Sequence, residues 1–288
     1  MELRIDRVTK QYDTKIACDH ISLVLHRGVY GLLGANGAGK TTLMRMMCGV
    51  LTPTAGSICF DGIDVSHEHY RNALGYLPQD FGYYPGFSAL DFMLYIATLK
   101  GLPKLQAKEK AWELLEMVSL EKDAKRKIKT FSGGMKQRLG IAQSLLNDPK
   151  ILILDEPTAG LDPKERIRFR NLISRLGADR IVLLSTHIVS DVEHIADTIL
   201  VMKEGKLLQQ GTRDEILQRI EGKVWECTVP REAADILCNR YPVINLRQEG
   251  DEMFLRLVCD SRPCDSAVTV PAVLEDLYLY YFSEVNGR

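Results

Sequence analysis

No stretch of the 288 residues approaches the ~18 consecutive apolar residues that a helix needs to cross a bilayer. A single-chain membrane protein of helical type is therefore excluded. Met1 leads into alternating charged residues and not into the basic-then-apolar pattern of a secretory leader, so the chain is expected in the cytoplasm. There is no excess of either charge. The net charge is −1, which gives no global attraction to nucleic acid or to anionic lipid. One local basic run, Lys122, Lys125, Arg126, Lys127 and Lys129, reads as a solvated face. There is no C-x-x-C. The seven cysteines are scattered, with Cys259 and Cys264 the nearest pair, so they read as small packing residues and not as disulfides or metal ligands. Internal repeats, low-complexity segments and heptad runs are also absent. What remains is a chain with 45% hydrophobic residues, able to bury a core and long enough for one large domain and a small one.

The densest chemistry lies in Gly34-Ala35-Asn36-Gly37-Ala38-Gly39-Lys40-Thr41, with Thr42 following. This is a complete G-x-x-x-x-G-K-[ST] phosphate-binding loop. A nucleotide tail is polyanionic, and backbone N–H groups must approach it closely. Gly34, Gly37 and Gly39 lack the Cβ that would obstruct them. A helix starting near Gly39 adds its positive dipole end. Lys40 can reach the β- and γ-phosphates, and the Thr41 hydroxyl can ligate Mg²⁺. The flanks agree, because Val29 to Leu33 reads as a buried strand and Thr41 to Met47 as a helix.

In chain order, Leu3 to Val8 and Ile16 to Leu25 alternate like half-exposed strands. Ser57 to Phe60 and Leu74 to Leu77 are further strands, the latter followed by Gln79. Ser88 to Ala97, Gln106 to Val118 and Met135 to Leu146 are helical by pattern. Ile151 to Leu154 is a buried strand ending in Asp155 and Glu156, whose side chains should diverge if the strand continues. Arg180 to Thr186 is a second buried strand, ending at His187. Such alternation predicts a mainly parallel sheet covered on both faces, with ligands at the carboxyl ends of the strands. Asp155 is then placed to hold Mg²⁺, and Glu156 to polarise an attacking water. His187 and Gln79 end neighbouring strands, and Gln79 can reach both Mg²⁺ and that water. A lone histidine at a strand end is ordinarily structural, but this strand should open beside the phosphates.

Thr130-Phe131-Ser132-Gly133-Gly134-Met135-Lys136-Gln137-Arg138 offers a second anion site. Ser132 can cap the helix that follows, and Gly133 and Gly134 expose N–H groups at its start. Two such sites so far apart in sequence need either a fold-back or a second molecule. Here the chain resembles the ATP-binding subunits of ABC transporters, whose signature motif is Leu-Ser-Gly-Gly-Gln. Phe131 and Met135 depart from that consensus. The resemblance spans Leu3 to about Leu217. It implies that Tyr12 stacks on adenine, that Gln79 couples nucleotide to transporter, that Asp162 in Ala159-Gly160-Leu161-Asp162 communicates across a dimer, and that His187 is the switch histidine. It further implies ATP and Mg²⁺ as ligands and a head-to-tail pair in which Ser132 and Gly134 of one subunit contact the γ-phosphate held by Lys40 of the other. Transmembrane permease subunits would be separate chains, placing this one peripherally on the inner face of the cell membrane, with no nucleic-acid partner. The signature stretch is of the drug- and antibiotic-exporter kind. An importer subunit, or a soluble ABC-type ATPase of DNA repair or translation, is the alternative, and a homodimer suffices.

The expected fold is α/β: a P-loop NTPase core with a mainly parallel sheet, an inserted helical subdomain at about 80–147, and a small α+β unit at 222–288 after an ATPase domain of 1–221. The tail reads as β-α-β-β-α, ending in an amphipathic helix from Pro271 to Tyr281. Trp225 and the Tyr278, Tyr280 and Tyr281 cluster read as packing residues. The unit is too small to stand comfortably alone, so it should pack on the main domain or on its copy in a dimer.

Overall fold

The computed structural model describes residues 1–283. Two long strands open the chain, β1 (Leu3–Tyr12) and β2 (Lys15–Leu25), followed by β3 (Gly28–Leu33), α1 (Lys40–Met47), β4 (Ala55–Phe60) and β5 (Ile63–Asp64). Next come α2 (Glu68–Ala73) and β6 (Leu74–Leu77), then three helices, α3 (Ala89–Leu99), α4 (Lys104–Met117) and α5 (Gly133–Ser144). The chain returns through β7 (Ile151–Asp155), α6 (Pro163–Leu176), β8 (Ile181–Thr186), α7 (Val189–Ile195), β9 (Thr198–Lys203), β10 (Lys206–Gly211) and α8 (Arg213–Leu217). The tail contributes β11 (Val224–Pro230), α9 (Arg231–Arg240), β12 (Val243–Glu249), β13 (Glu252–Val258), β14 (Val268–Thr269) and α10 (Leu274–Phe282).

The central sheet has six strands in the order β10-β9-β3-β8-β7-β6. All its neighbours are parallel except the edge hairpin β9–β10. The aliphatic runs of β7 and β8 are buried throughout, as strands covered on both faces must be. Their period of two sends alternate side chains to two cores. Leu152, Leu154, Val182 and Leu184 join the face covered by α3 to α7. Ile151, Ile153, Ile181 and Leu183 join the opposite face with α1 and a second sheet.

That second sheet, β2-β1-β4-β5, is antiparallel and separate from the first. The sequence identifies its strands but not their separation from the central sheet. Leu3, Ile5 and Val8 point inward while Arg4, Asp6 and Arg7 are exposed, so the sheet needs only one buried face. Alternating apolar and charged residues suit a layer lying over the core, not a strand within it.

Three helices, α3 to α5, lie between β6 and β7. Ser88 and Asp91 make a reciprocal capping box that starts α3. The basic run from Lys122 to Lys129 is exposed, as expected. In the tail, β12-β13-β11-β14 is a third, antiparallel sheet. Its first three strands follow the predicted pattern, and the two-residue β14 is added by pairing with β11. Among the described residues no helix is long and apolar enough to cross a membrane. All seven cysteines are free and none is exposed.

Candidate functional site

β3 delivers the chain to the carboxyl edge of the sheet, where residues 34–39 curl back and α1 begins at Lys40. Two glycines are required by close approach. A Cβ on Gly34 would collide with the Met202 carbonyl of β9, and one on Gly39 with the Ala17 carbonyl of β2. Gly39 also has φ 103° and Gly37 φ 80°, in the left-handed region that glycine alone adopts without strain. The Gly205 N–H, at the turn of the β9–β10 hairpin, donates to the Ala38 carbonyl at 2.9 Å and braces the loop from outside. Lys40 is buried. Its Nζ donates to the Gly34 and Ala35 carbonyls at 2.7 and 3.2 Å, so it lies folded over the loop. Burial lowers its pKa, and the negative charges of Glu156 and Asp155 partly restore it.

The carboxylates stand across the loop. Asp155 ends β7 and is 1% exposed. Its Oδ1 accepts from Ser185 Oγ at 2.6 Å and, more weakly, from Thr41 Oγ1 at 3.4 Å. Its Oδ2 is buried with no hydrogen-bond partner. An orphaned carboxylate oxygen facing a phosphate loop fits a hard cation. Among the described residues no group of three or more acidic, histidine or cysteine side chains could enclose one. Asp155 with the Thr41 hydroxyl beside it fits Mg²⁺, which takes one or two protein ligands and completes its shell from phosphates and water.

Glu156 departs from the expectation of divergence along a continuing strand. The strand stops at Asp155, and Glu156 takes φ 51°, a left-handed conformation. That kink aims its carboxylate at His187. His187 Nδ1 and Glu156 Oε2 are 2.8 Å apart, with Glu156 8% exposed and the His187 side chain about half exposed. The Glu156 N–H donates to Ser185 Oγ at 3.0 Å. Ser185 thus holds both acidic residues at once, and the sequence reading misses it. The signal available is its position directly opposite Asp155 in the parallel pairing of β7 with β8.

A cleft of about 550 Å³ gathers most of these groups, although Gly34, Asp155 and Ser185 are not among the residues that line it. It is lined by Tyr12, Asn36 through Thr42, Gln79, Glu156 and His187, with Lys15, Ala17 and Ala159 added to the predicted set. Tyr12 lines it from the end of β1, 45% exposed, with Lys10 Nζ 5.3 Å from its ring centre. Ser132, Gly133, Gly134 and Asp162 do not line the cleft. Ser132 caps α5, accepting from the Met135 N–H at 3.2 Å, and is exposed with Gly133, while Gly134 is buried against Glu165. Asp162 caps α6, accepting from the Glu165 N–H at 2.8 Å. One chain therefore presents a phosphate site and, apart from it, an open helix start carrying the second anion motif.

The pattern of the ABC transporter family matches residues 18–159. The ABC transporter ATP-binding protein YxlF of Bacillus subtilis is 39% identical over 228 residues, covering 79% of this chain and 76% of that protein. The chain belongs to the ABC transporter family of ATP-binding proteins. A Nod factor export ATP-binding protein I of Burkholderia thailandensis is 37% identical over 95% of this chain and 94% of its own, so that similarity extends into the tail. Among solved structures, the dimeric ATP-binding cassette MJ0796 in a post-hydrolysis state bound to ADP and Pi superimposes with a TM-score of 0.67. It shares 25% identity over 73% of this chain and 98% of that one. The fold is accordingly that of an ABC ATPase cassette, and the activity of the family is ATP hydrolysis.

Proposed function

We propose that this ABC ATPase is the energy-converting subunit of an exporter, working as a head-to-tail pair on transmembrane permease subunits carried by separate chains. The observation that carries the reading is the division within one protomer. The cleft holds Tyr12, the phosphate loop, Gln79, Glu156 and His187, while Ser132 and Gly133 stand exposed outside it. A second copy supplies the missing half, its Ser132 and Gly134 closing on the γ-phosphate and its Asp162 loop lying at the junction.

In this reading adenine stacks on Tyr12, and the N–H groups of Gly37 to Thr42 and the Lys40 ammonium hold the β- and γ-phosphates. Thr41 and Asp155 would hold Mg²⁺, with Gln79 within reach; when bound, the ion neutralises charge on the phosphates. Glu156 takes a proton from water as its oxygen bonds to the γ-phosphorus and the bond to the ADP oxygen breaks. ADP leaves with the bonding electron pair, and inorganic phosphate forms. His187 is fixed through Nδ1 by Glu156, which leaves Nε2 for the γ-phosphate. Loss of that phosphate removes the contacts that favour the closed pair.

Gln79 leads directly into Phe81, Tyr83, Tyr84 and Phe87, which pack with Phe92 and Tyr95 into an aromatic group whose Tyr84 and Tyr95 are exposed. In this reading that face of the helical insertion meets the permease, with the subunit on the cytoplasmic side of the membrane. Export as the direction is supported by the Burkholderia relative, a Nod factor export ATP-binding protein.

The test is complementation. Lys40→Ala and Ser132→Arg proteins are each inactive in phosphate release. Mixed, half the dimers are heterodimers with one intact composite site, so about a quarter of wild-type activity returns. A mixture as inactive as its parts rules out the head-to-tail site.

A further inference from the structure

α7 begins two residues after His187 and is held from three sides by the ATPase core. Gly31 of β3 lets Val192 approach so closely that a Cβ there would meet it at 2.5 Å. The fully buried Asp191 accepts from Arg170 of α6 at 3.0 and 2.6 Å. Glu193 accepts from Arg213 of α8 at 2.8 Å. The remaining side is covered by α10, which comes from the tail. Leu274 and Leu277 of α10 are fully buried in the same core as Val189, Val192 and Ile195 of α7.

α10 is also tied to the hairpin of β9 and β10. Lys203 Nζ of β9 donates to the Tyr281 carbonyl at 2.8 Å, and Gln209 Nε2 of β10 donates to the Tyr281 hydroxyl at 2.5 Å. Those strands form the hairpin whose Gly205 turn braces Ala38 of the phosphate loop. At its root, α10 is fixed to the tail sheet by Asp276, fully buried, which accepts from Arg256 at 3.0 and 2.7 Å. Tyr278 lies between these anchors, half-buried against the core that α10 and α7 share, with Phe282 at 4.7 Å between ring centres. Burial, and then the negative charge of Glu156, raise its pKa.

We propose that Tyr278 is a positioning residue for ATP hydrolysis. By packing α10 on α7 it holds His187 against Glu156, so the C-terminal unit sets the turnover of the site. The proposal rests on the ATPase reading above. His187 has one side-chain hydrogen bond among the described residues, the 2.8 Å contact to Glu156. A shift of α7 by about 1 Å breaks that contact, and misplacement of that size costs on the order of 10²-fold in rate.

The experiment is phosphate release by the full-length chain over a range of ATP concentrations. Tyr278→Ala should lower kcat by about 10–100-fold with KM changed by less than about twofold, because nucleotide binding is untouched while the reacting geometry is not. Tyr278→Phe keeps the ring and should keep wild-type kcat. Lys203→Met cuts the second tie without entering the tail core and should lower kcat in the same direction. The decisive arm is the His187→Ala background, where Tyr278→Ala should have no further effect, since no imidazole is left to position. A general structural defect would instead lower the residual rate by the same factor in both backgrounds. That outcome, or an unchanged kcat in Tyr278→Ala, overturns the proposal. Hydrolysis that survives in Lys40→Ala would overturn the ATPase reading itself, which separates the two failures.

Discussion

Replacing Ser185 by alanine removes one oxygen that serves two acidic residues. In the native site Ser185 Oγ donates to Asp155 Oδ1 at 2.6 Å and accepts from the Glu156 N–H at 3.0 Å, with Ser185 fully buried. Without it, Asp155 keeps only Thr41 at 3.4 Å on Oδ1, its Oδ2 already lacks a partner, and the Glu156 N–H loses its acceptor. Two buried polar groups are stranded, each costing ~1–3 kcal/mol, so the nucleotide-free protein should lose about 2–6 kcal/mol of stability. Mg-ATP should restore part of this, because a bound cation satisfies the carboxylate that the hydroxyl had oriented. Turnover should fall about 10–100-fold, because the left-handed kink at Glu156 is fastened by that N–H. Urea unfolding with and without Mg-ATP, together with steady-state phosphate release, reads both quantities. A loss below about 0.5 kcal/mol with unchanged kcat would refute the reasoning.

The remaining predictions concern single groups. Glu156→Gln preserves shape and should bind ATP normally while kcat falls by roughly 10²–10⁴-fold, as removal of a general base requires; wild-type turnover in that variant contradicts the role. Lys40→Ala should lose nucleotide affinity in a filter-binding assay, and retention of native affinity contradicts the phosphate contact. Lys100 is pressed by burial to a pKa of about 8 from its usual 10.5. Both states are protonated below pH 8; between about 8 and 10.5 the unfolded chain binds the additional proton, so stability should rise with pH across that window. Lys100→Met should flatten that rise in thermal melts taken at pH 7.5 and 9.5, and an unaltered slope assigns it elsewhere.

The legible parts of this site are those written locally. The phosphate loop occupies consecutive residues whose glycines, lysine and threonine each have a chemical reason toward phosphate, although the crowding of Gly34 by Met202 and of Gly39 by Ala17 appears only in the fold. Asp155 and His187 are legible because aliphatic runs end at them. Ser185 is not, because its importance depends on β8 lying beside β7 in a register that puts it opposite Asp155. The Glu156 kink is equally invisible, since nothing in Asp155-Glu156-Pro157 marks a left-handed residue. The hairpin of β9 and β10 carries a local signal in Glu204-Gly205, both with positive φ, and its weight lies in bracing Ala38. In the tail, the amphipathic pattern of 271–281 announces a buried face and cannot name its partner. The structure supplies α7, so the tail shares the core of the ATPase face while its own small core gathers around Leu255 and Leu257.

The central claim is a site completed by a second protomer around ATP. Light scattering of purified Glu156→Gln protein, with and without Mg-ATP, tests it most directly. The account predicts a monomer without nucleotide and a dimer with it, abolished by adding Ser132→Arg. A protein that stays monomeric at saturating Mg-ATP, or that dimerises equally well with Ser132→Arg, contradicts it.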